Sequence, residues 1–248
     1  MAVIGVFDSG SGGLSVLREI RKILPDERFI YFSDNAYCPY GEKTAEFVTA
    51  RSRAVTDLLL SKGASAVVVA CNTATAAAIA SLRSEYSIPF VGMEPAVKPA
   101  ASGTRNGVVG VLATAGTLKA PKYLNTKGQY ADAVRIVEHV GRGFVELVES
   151  LDLDSPHAES VVRESLQPLL DEGADTIVLG CTHYPFLLPL MRSIAPSDIR
   201  FIDPAPAVAR RLVDVLQMAG VPMTDPEPGV ELLSSGSDVT LRKLFTIL

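Results

Sequence analysis

Two of the three cysteines, Cys71 and Cys181, occupy matching positions in the sequence. Each comes at the end of a short β-branched run that is typical of a buried parallel strand. Polar side chains and then a helix are expected after each cysteine, and a helix N-terminus favours a thiolate. A free thiol has a pKa of about 8.5, so each cysteine still needs a neighbouring group to become a useful base at neutral pH.

The neighbouring groups that the sequence indicates are Asp8 and His183. Asp8 ends the strand expected beside that of Cys71, and His183 comes two residues after Cys181. Two thiols on opposite walls of a cleft are suited to invert a stereocentre, because one removes a proton while the other delivers one to the opposite face. The carbanion-like transition state then needs fixed donors. The candidates are Ser9, Asn72, Thr73, Thr114 and Thr182.

Three pairs of similar segments, in the same order, indicate that one βαβ-type unit is used twice. Residues 63–72 match 173–182, residues 5–9 match 110–114, and residues 89–97 match 200–208. Alternating strands and helices predict an α/β fold of two similar doubly wound parallel-sheet domains, related by pseudo-twofold symmetry, with the site in the cleft between them. We place the first domain at residues 1–97 plus 207–248 and the second at residues 98–206.

Apolar residues at helical spacing predict helices over residues 44–62 and 161–172. The tail is expected to form a helix from Pro206 to Ala219, a strand from Val230 to Leu233 and a final helix from Ser237.

The stretch Asp8-Ser9-Gly10-Ser11-Gly12-Gly13 leads from a strand into a helix that is expected to open at Leu14. Backbone amides in such a turn can hold an anion, and one smaller than a nucleotide, such as a carboxylate, fits this spacing best.

Composition narrows the function further. A net charge of −5 without clustered Lys and Arg argues against a nucleic-acid partner. With no apolar run long enough for a bilayer and no leader-like start, we expect a cytoplasmic protein without a membrane span. Three cysteines without a C-x-x-C spacing predict neither a disulfide framework nor a metal site. We interpret Cys38, His139 and His157 as structural, both histidines lying in helix- or loop-like surroundings.

Four motifs, taken in order, make the chain similar to the glutamate racemase family. They are Phe7-Asp8-Ser9-Gly10 with Gly12-Gly13, Pro39-Tyr40-Gly41, Cys71-Asn72-Thr73-Ala74 and Gly180-Cys181-Thr182-His183-Tyr184-Pro185. The resemblance runs from the N-terminus to about Arg211. It implies that L- and D-glutamate are interconverted without pyridoxal phosphate or another cofactor, to supply D-glutamate for bacterial peptidoglycan. It also implies a homodimer.

On the family's pattern, Cys71 exchanges the proton on the D-face and Cys181 the one on the L-face, assisted by Asp8 and His183 respectively. The residues that match the family's substrate contacts are Asp8, Ser9, Tyr40, Gly41, Asn72, Thr73, Thr114, Thr182 and His183. The family often has a Cys-Pro pair before the segment corresponding to residues 144–149, whereas this chain has Gly141-Arg142-Gly143. Glu149 is carried over as a partner of His183.

Three alternatives remain open. The nearest is an aspartate or hydantoin racemase of the same superfamily, although His183 favours glutamate, because aspartate racemases tend to have an acidic residue there. Another is a hydrolase in which Cys181 and His183 form an acyl-enzyme, a hypothesis that leaves Cys71 without a purpose. The third is a non-catalytic module that binds an amino acid or a protein such as DNA gyrase, against which the intact Asp8, Cys71, Cys181 and His183 count.

Overall fold

The computed structural model describes residues 3–221 and 227–247, whose strands form two parallel sheets. In chain order these strands are β1 (Val3–Asp8), β2 (Arg28–Ser33), β3 (Ala64–Val69), β4 (Phe90–Gly92), β5 (Val108–Ala113), β6 (Arg135–Val140), β7 (Thr176–Gly180), β8 (Arg200–Ile202) and β9 (Gly229–Ser234). The first sheet has the order β4-β3-β1-β2-β9 and the second has the order β6-β5-β7-β8. The predicted fold class is therefore confirmed.

Helices connect the strands. They are α1 (Leu14–Ile23), α2 (Ala45–Ser61), α3 (Asn72–Glu85), α4 (Val97–Gly103), α5 (Ala115–Lys119), α6 (Pro121–Gln129), α7 (Phe144–Ser150), α8 (Pro156–Asp171), α9 (Leu188–Ile194), α10 (Ala205–Met218) and α11 (Val239–Thr246). Short 3-10 turns occupy Asn35–Tyr37, Tyr40–Glu42 and Tyr184–Leu187.

The two sheets repeat one connectivity. Strand β1 pairs with β2 and β3 as β5 pairs with β6 and β7, and β4 and β8 take the equivalent place beyond β3 and β7. This agreement confirms that the same unit is used twice. The added strand β9 pairs with β2 at the edge of the first sheet.

The strands that lead to the two cysteines are fully buried. Val67, Val68 and Val69 in β3, like Ile177 and Val178 in β7, have no exposed surface. Helices cover both faces of each sheet, which is why these strands are continuously apolar rather than alternating. Such packing fixes the carboxyl end of each strand, where Cys71 and Cys181 follow.

Most predicted elements are present with small shifts of their ends. Helix α2 begins after Thr44, whose hydroxyl accepts a hydrogen bond from the Phe47 amide. Helix α8 begins five residues earlier than expected, because Ser155 caps it and Pro156 suits its first position. The last helix begins at Val239 instead of Ser237. The interpretation of His139 as helical or loop-like was wrong, since it lies in β6.

The tail joins the first sheet through β9, and α10 packs against α1. These contacts are compatible with the proposed division into residues 1–97 plus 207–248 and residues 98–206, whose boundaries stay a prediction. Within residues 3–221 and 227–247, none of the helices is both long and apolar enough to cross a membrane.

Candidate active site

Cys71 and Cys181 line the same small cavity between the carboxyl ends of the two sheets. Cys71 follows β3 and caps α3, while Cys181 directly follows β7. Only 6% and 7% of the two residues' surfaces are exposed, respectively. The duplicated unit therefore delivers one sulfur atom from each of its copies to one enclosed space.

The surroundings of Cys71 favour its protonated form. Its Sγ accepts a hydrogen bond from the Ala74 amide at 3.4 Å, as expected at a helix start, and lies 3.7 Å from the Ser9 hydroxyl. Burial nevertheless raises the pKa of the Cys71 thiol, the nearby Asp8 carboxylate raises it further, and both outweigh the helix amide. The helix N-terminus favours a thiolate, but at this residue burial and the Asp8 carboxylate outweigh it.

Cys181 belongs to a chain of polar contacts. Its Sγ lies 3.7 Å from Nδ1 of His183, and Nε2 of His183 lies 2.8 Å from Oε1 of Glu149. Ser11 completes the chain, since its backbone amide and its hydroxyl donate to the two oxygens of Glu149 at 2.6 and 3.1 Å. The predicted contact between Glu149 and His183 is thus present.

The contacts between His183 and Glu149 favour the charged forms of both side chains, so that they form an ion pair. Burial alone lowers the pKa of His183, but Cys181 and Glu149 outweigh burial and hold it well above its usual value. Burial likewise raises the pKa of Glu149, but its hydrogen bonds from His183 and Ser11 bring the net value below the usual range. The imidazolium form of His183 is therefore favoured, and it lies beside the sulfur of Cys181.

Asp8 lies behind the cavity wall, with no exposed surface. Its Oδ2 accepts hydrogen bonds from the Gly13 amide at 2.9 Å and from the Thr182 hydroxyl at 3.2 Å. Burial raises the pKa of Asp8, and the positive charge of His183 only partly offsets this. Asp8 therefore connects the glycine-rich turn to Thr182, the residue after Cys181. Its direct contact with a substrate stays a prediction.

The glycine-rich turn binds two carboxylates, and both are side chains of the protein itself. The Ser11 amide binds Glu149 and the Gly13 amide binds Asp8. Gly12 allows a further close approach, because a Cβ there would lie 2.3 Å from Nδ1 of His183.

The loop after β2 forms another side of the cavity. Tyr40 donates a hydrogen bond to Asp34, whose carboxylate also accepts two from Arg51 at 2.8 and 2.9 Å. The next residue, Gly41, packs so closely on Thr114 that a Cβ there would lie 2.9 Å from the Cβ of Thr114. The ion pair thus holds the loop within the first half, and Gly41 brings the loop against Thr114 of the second half.

The cavity contains most of the predicted site residues. Those in its wall are Ser9, Tyr40, Gly41, Cys71, Asn72, Thr73, Thr114, Cys181, Thr182 and His183. Within the described residues, neither polar atom of the buried Asn72 amide has a hydrogen-bond partner. Thr73 and Thr114 meet at 3.2 Å between their hydroxyl oxygens, across the two halves.

Pro39, Val145 and Gly180 also line the cavity. None of them was predicted as a site residue, although Pro39 and Gly180 belong to the motifs of the resemblance. The sequence also assigned no chemistry to Cys38, whose sulfur lies beside Glu149 and His183. The match of residues 144–149 to a family segment could have indicated Val145. Cys38 offered no comparable signal.

The fold and the site together define the class of the protein. Residues 4–212 match the Asp/Glu/hydantoin racemase family, and the chain belongs to that family of amino-acid racemases, which are isomerases.

Among its relatives, the glutamate racemase of Ectopseudomonas mendocina is 48% identical over all of this chain and 94% of its own length. That of Pseudomonas aeruginosa PAO1 is 52% identical over 97% of this chain and 87% of its own length. A crystal structure of Escherichia coli glutamate racemase in complex with L-glutamate and the activator UDP-MurNAc-ala superimposes with a TM-score of 0.90. It is 34% identical and covers 99% of this chain and 93% of its own.

Proposed function

We propose that the chain is a glutamate racemase that interconverts L- and D-glutamate by a two-base mechanism without a cofactor. The observation that carries this proposal is the pair of buried sulfurs, Cys71 and Cys181, on one small cavity. The similarity to glutamate racemases over the whole chain, and the L-glutamate held by the E. coli enzyme, support this choice of substrate over aspartate or a hydantoin.

In the direction from L- to D-glutamate, the Cys181 thiolate removes the α-proton while the Cys71 thiol donates its proton to the opposite face of the same carbon. The product side then holds a Cys181 thiol and a Cys71 thiolate, and the reverse reaction uses these in exchanged roles. The raised pKa of Cys71 supports the thiol form that donates a proton in this direction, and the imidazole of His183 lies beside Cys181. His183 assists Cys181, Glu149 positions His183, and Asp8 assists Cys71.

The negative charge that develops on the substrate needs donors that are fixed before the reaction. Ser9, Thr73 and Thr182 line the cavity, although the Thr182 hydroxyl donates to Asp8, and the Asn72 amide is available there for a carboxylate of glutamate. Tyr40, Gly41 and Thr114 also line the cavity. An enclosed site also keeps the α-carbanion away from bulk water.

We propose that the enzyme acts in a bacterial cytoplasm, where D-glutamate serves peptidoglycan synthesis and hence cell shape; the similarity to glutamate racemases supports this proposal. We propose a homodimer that acts on free glutamate and does not bind nucleic acid. The acidic net charge of −5 supports this last point.

The test is to incubate the protein with each enantiomer of glutamate and of aspartate in deuterated water, with no added cofactor, and to follow chirality and loss of the α-proton signal. We expect glutamate to racemise with solvent deuterium at its α-carbon. Cys71→Ser and Cys181→Ser should each slow interconversion about a hundredfold or more. Racemisation of aspartate alone, or wild-type rates in either variant, would contradict the proposal.

A further inference from the structure

Cys38 is a partly buried thiol for which the proposed racemisation has no use. It follows the 3-10 turn Asn35–Tyr37, and its burial is intermediate. Its Sγ, a carboxylate oxygen of Glu149 and a ring nitrogen of His183 all lie within 4.8 Å of one another. Three side chains from distant parts of the sequence thus bring a sulfur, an oxygen and a nitrogen close together.

Gly10 leaves the space beside these three atoms open. A Cβ at Gly10 would lie 2.3 Å from Oε1 of Glu149, 3.0 Å from Sγ of Cys38 and 3.1 Å from Nε2 of His183. Any side chain at residue 10 would fill this space. The three atoms therefore surround a small volume that only a glycine leaves free.

We propose that Cys38, Glu149 and His183 form an inhibitory binding site for a zinc-like divalent cation. Thiolate, imidazole and carboxylate are the ligands that zinc selects, and three protein ligands plus a water complete its tetrahedral coordination. Zinc bonds to sulfur at about 2.3 Å and to nitrogen or oxygen at about 2.0–2.2 Å, so ligand atoms of a tetrahedral site are about 3.4–3.6 Å apart. Side-chain shifts of about an ångström achieve this arrangement.

The cation would act on racemisation through His183. Its Nε2 is the atom that now contacts Glu149, while Nδ1 faces Cys181. A cation bound at Nε2 replaces the proton shared with Glu149 and also occupies that carboxylate. His183 and Glu149 then no longer exchange a proton or hold the imidazole for Cys181, so we expect reversible inhibition.

The binding itself is tested without substrate, by titrating the reduced protein with Co²⁺ as a spectroscopic substitute for zinc. We expect one Co²⁺ per chain, with a near-ultraviolet thiolate-to-cobalt charge-transfer band. Cys71→Ser and Cys181→Ser are the matched controls and should keep the band. Cys38→Ala should lose the band. Glu149→Gln should keep the band, with an affinity for Co²⁺ reduced by about tenfold at most. Glutamine has the same shape as glutamate, so Glu149→Gln still tests the proposal if Cys38→Ala does not fold.

A band that persists in Cys38→Ala, or that vanishes in either control, would assign the cation to the other cysteines and overturn the proposal. Absence of Co²⁺ binding by the wild type would overturn it as well. None of these readouts requires racemase activity, so they are independent of the proposed function.

The second measurement is zinc inhibition of glutamate racemisation, with each variant compared with its own zinc-free rate. We expect that EDTA reverses inhibition of the wild type, and that Cys38→Ala needs at least about tenfold more zinc for half inhibition. Equal zinc sensitivity of Cys38→Ala and the wild type would contradict an inhibitory role for this site.

Discussion

Ser11 donates two hydrogen bonds to Glu149, from its amide to Oε1 at 2.6 Å and from its hydroxyl to Oε2 at 3.1 Å. Ser11 lies between β1 and α1 of the first sheet's unit, whereas Glu149 lies in α7 of the second. The same Oε1 lies 2.8 Å from Nε2 of His183. The orientation of the imidazole beside Cys181 therefore depends on residues from both halves of the chain.

Glu149→Gln should lower kcat for glutamate about tenfold or more, because an amide cannot stabilise the positive imidazolium that supports Cys181. Steady-state racemisation from both enantiomers measures this effect. Glu146→Gln, on the exposed side of the same helix, is the matched control and should keep kcat within about twofold. Equal losses in the two variants would contradict a specific role for Glu149.

Gly12→Ala should impair activity strongly, because the new methyl group would lie 2.3–2.6 Å from three atoms of the His183 ring. His183 or the turn must shift, and a shift of about an ångström can cost a hundredfold in rate. Gly128→Ala in α6 is the control, since nothing in the described part of the chain lies within 4 Å of its added Cβ. Measuring kcat and the unfolding temperature separates displacement of His183 from general loss of stability. Full activity of Gly12→Ala would show that the turn adapts.

Arg51→Gln should destabilise the fold and raise KM for glutamate. The change leaves Asp34, which has no exposed surface, without its cation and removes the charge that holds the hydrogen-bond acceptor of Tyr40 in place on the cavity wall. We expect a loss of about 2–3 kcal/mol in the free energy of unfolding, less than for a fully buried pair because 24% of the Arg51 side chain is exposed. Denaturant unfolding and steady-state kinetics measure the two effects.

Arg53→Gln provides the control for this pair, because Arg53 lies on the same helix and its ion pair with Glu85 is solvent-exposed. Little change in stability is expected there. A similar loss of stability in both variants would argue against a special contribution of the Asp34–Arg51 pair.

Asp175 should contribute a pH-dependent part of the stability. Burial raises the pKa of its carboxyl, but hydrogen bonds from Thr104, Arg105 and Asn106 outweigh burial and hold it below the usual 3.8. Since the folded pKa is lowered, this contribution is complete above the unfolded pKa and is lost as the pH falls through the folded value.

Asp175→Asn should therefore lower the free energy of unfolding by about 1–3 kcal/mol at neutral pH. The difference from the wild type should shrink in acid below the usual pKa of the carboxyl. Urea unfolding at a series of pH values measures it, with the exposed Asp198→Asn as a control of smaller effect. A difference that stays constant down to acid pH would contradict the linkage.

The sequence predicted those parts of the site that depend on local pattern. The apolar runs before Cys71 and Cys181 define strands, the polar residues after them define turns, and their repetition places both sulfurs at equivalent strand ends. His183 follows from its position two residues beyond Cys181. Each of these inferences needs only neighbouring residues and the rule that parallel strands present their carboxyl ends together.

Other features depend on contacts between residues far apart in the chain, which no local pattern encodes. Ser11 and Glu149 are 138 residues apart, and Cys38 approaches His183 only because the loop after β2 packs against the second half. The protonation of Cys71 follows from burial, which outweighs the helix amide that the sequence did indicate. By contrast, the early start of α8 could have been predicted locally, because Ser155 and Pro156 are helix-start signals that the prediction from apolar spacing did not use.

Because Cys71 and Cys181 stand on different sheets, their spacing is set by how two separately folded units pack rather than by the geometry of either backbone. The enantiomers have equal free energies in water, so any rigid-body movement that widens the gap must reduce kcat/KM by the same factor in both directions. A mutation or ligand at the boundary between the units can thus slow the enzyme without touching a sulfur, and it cannot favour one hand of the amino acid.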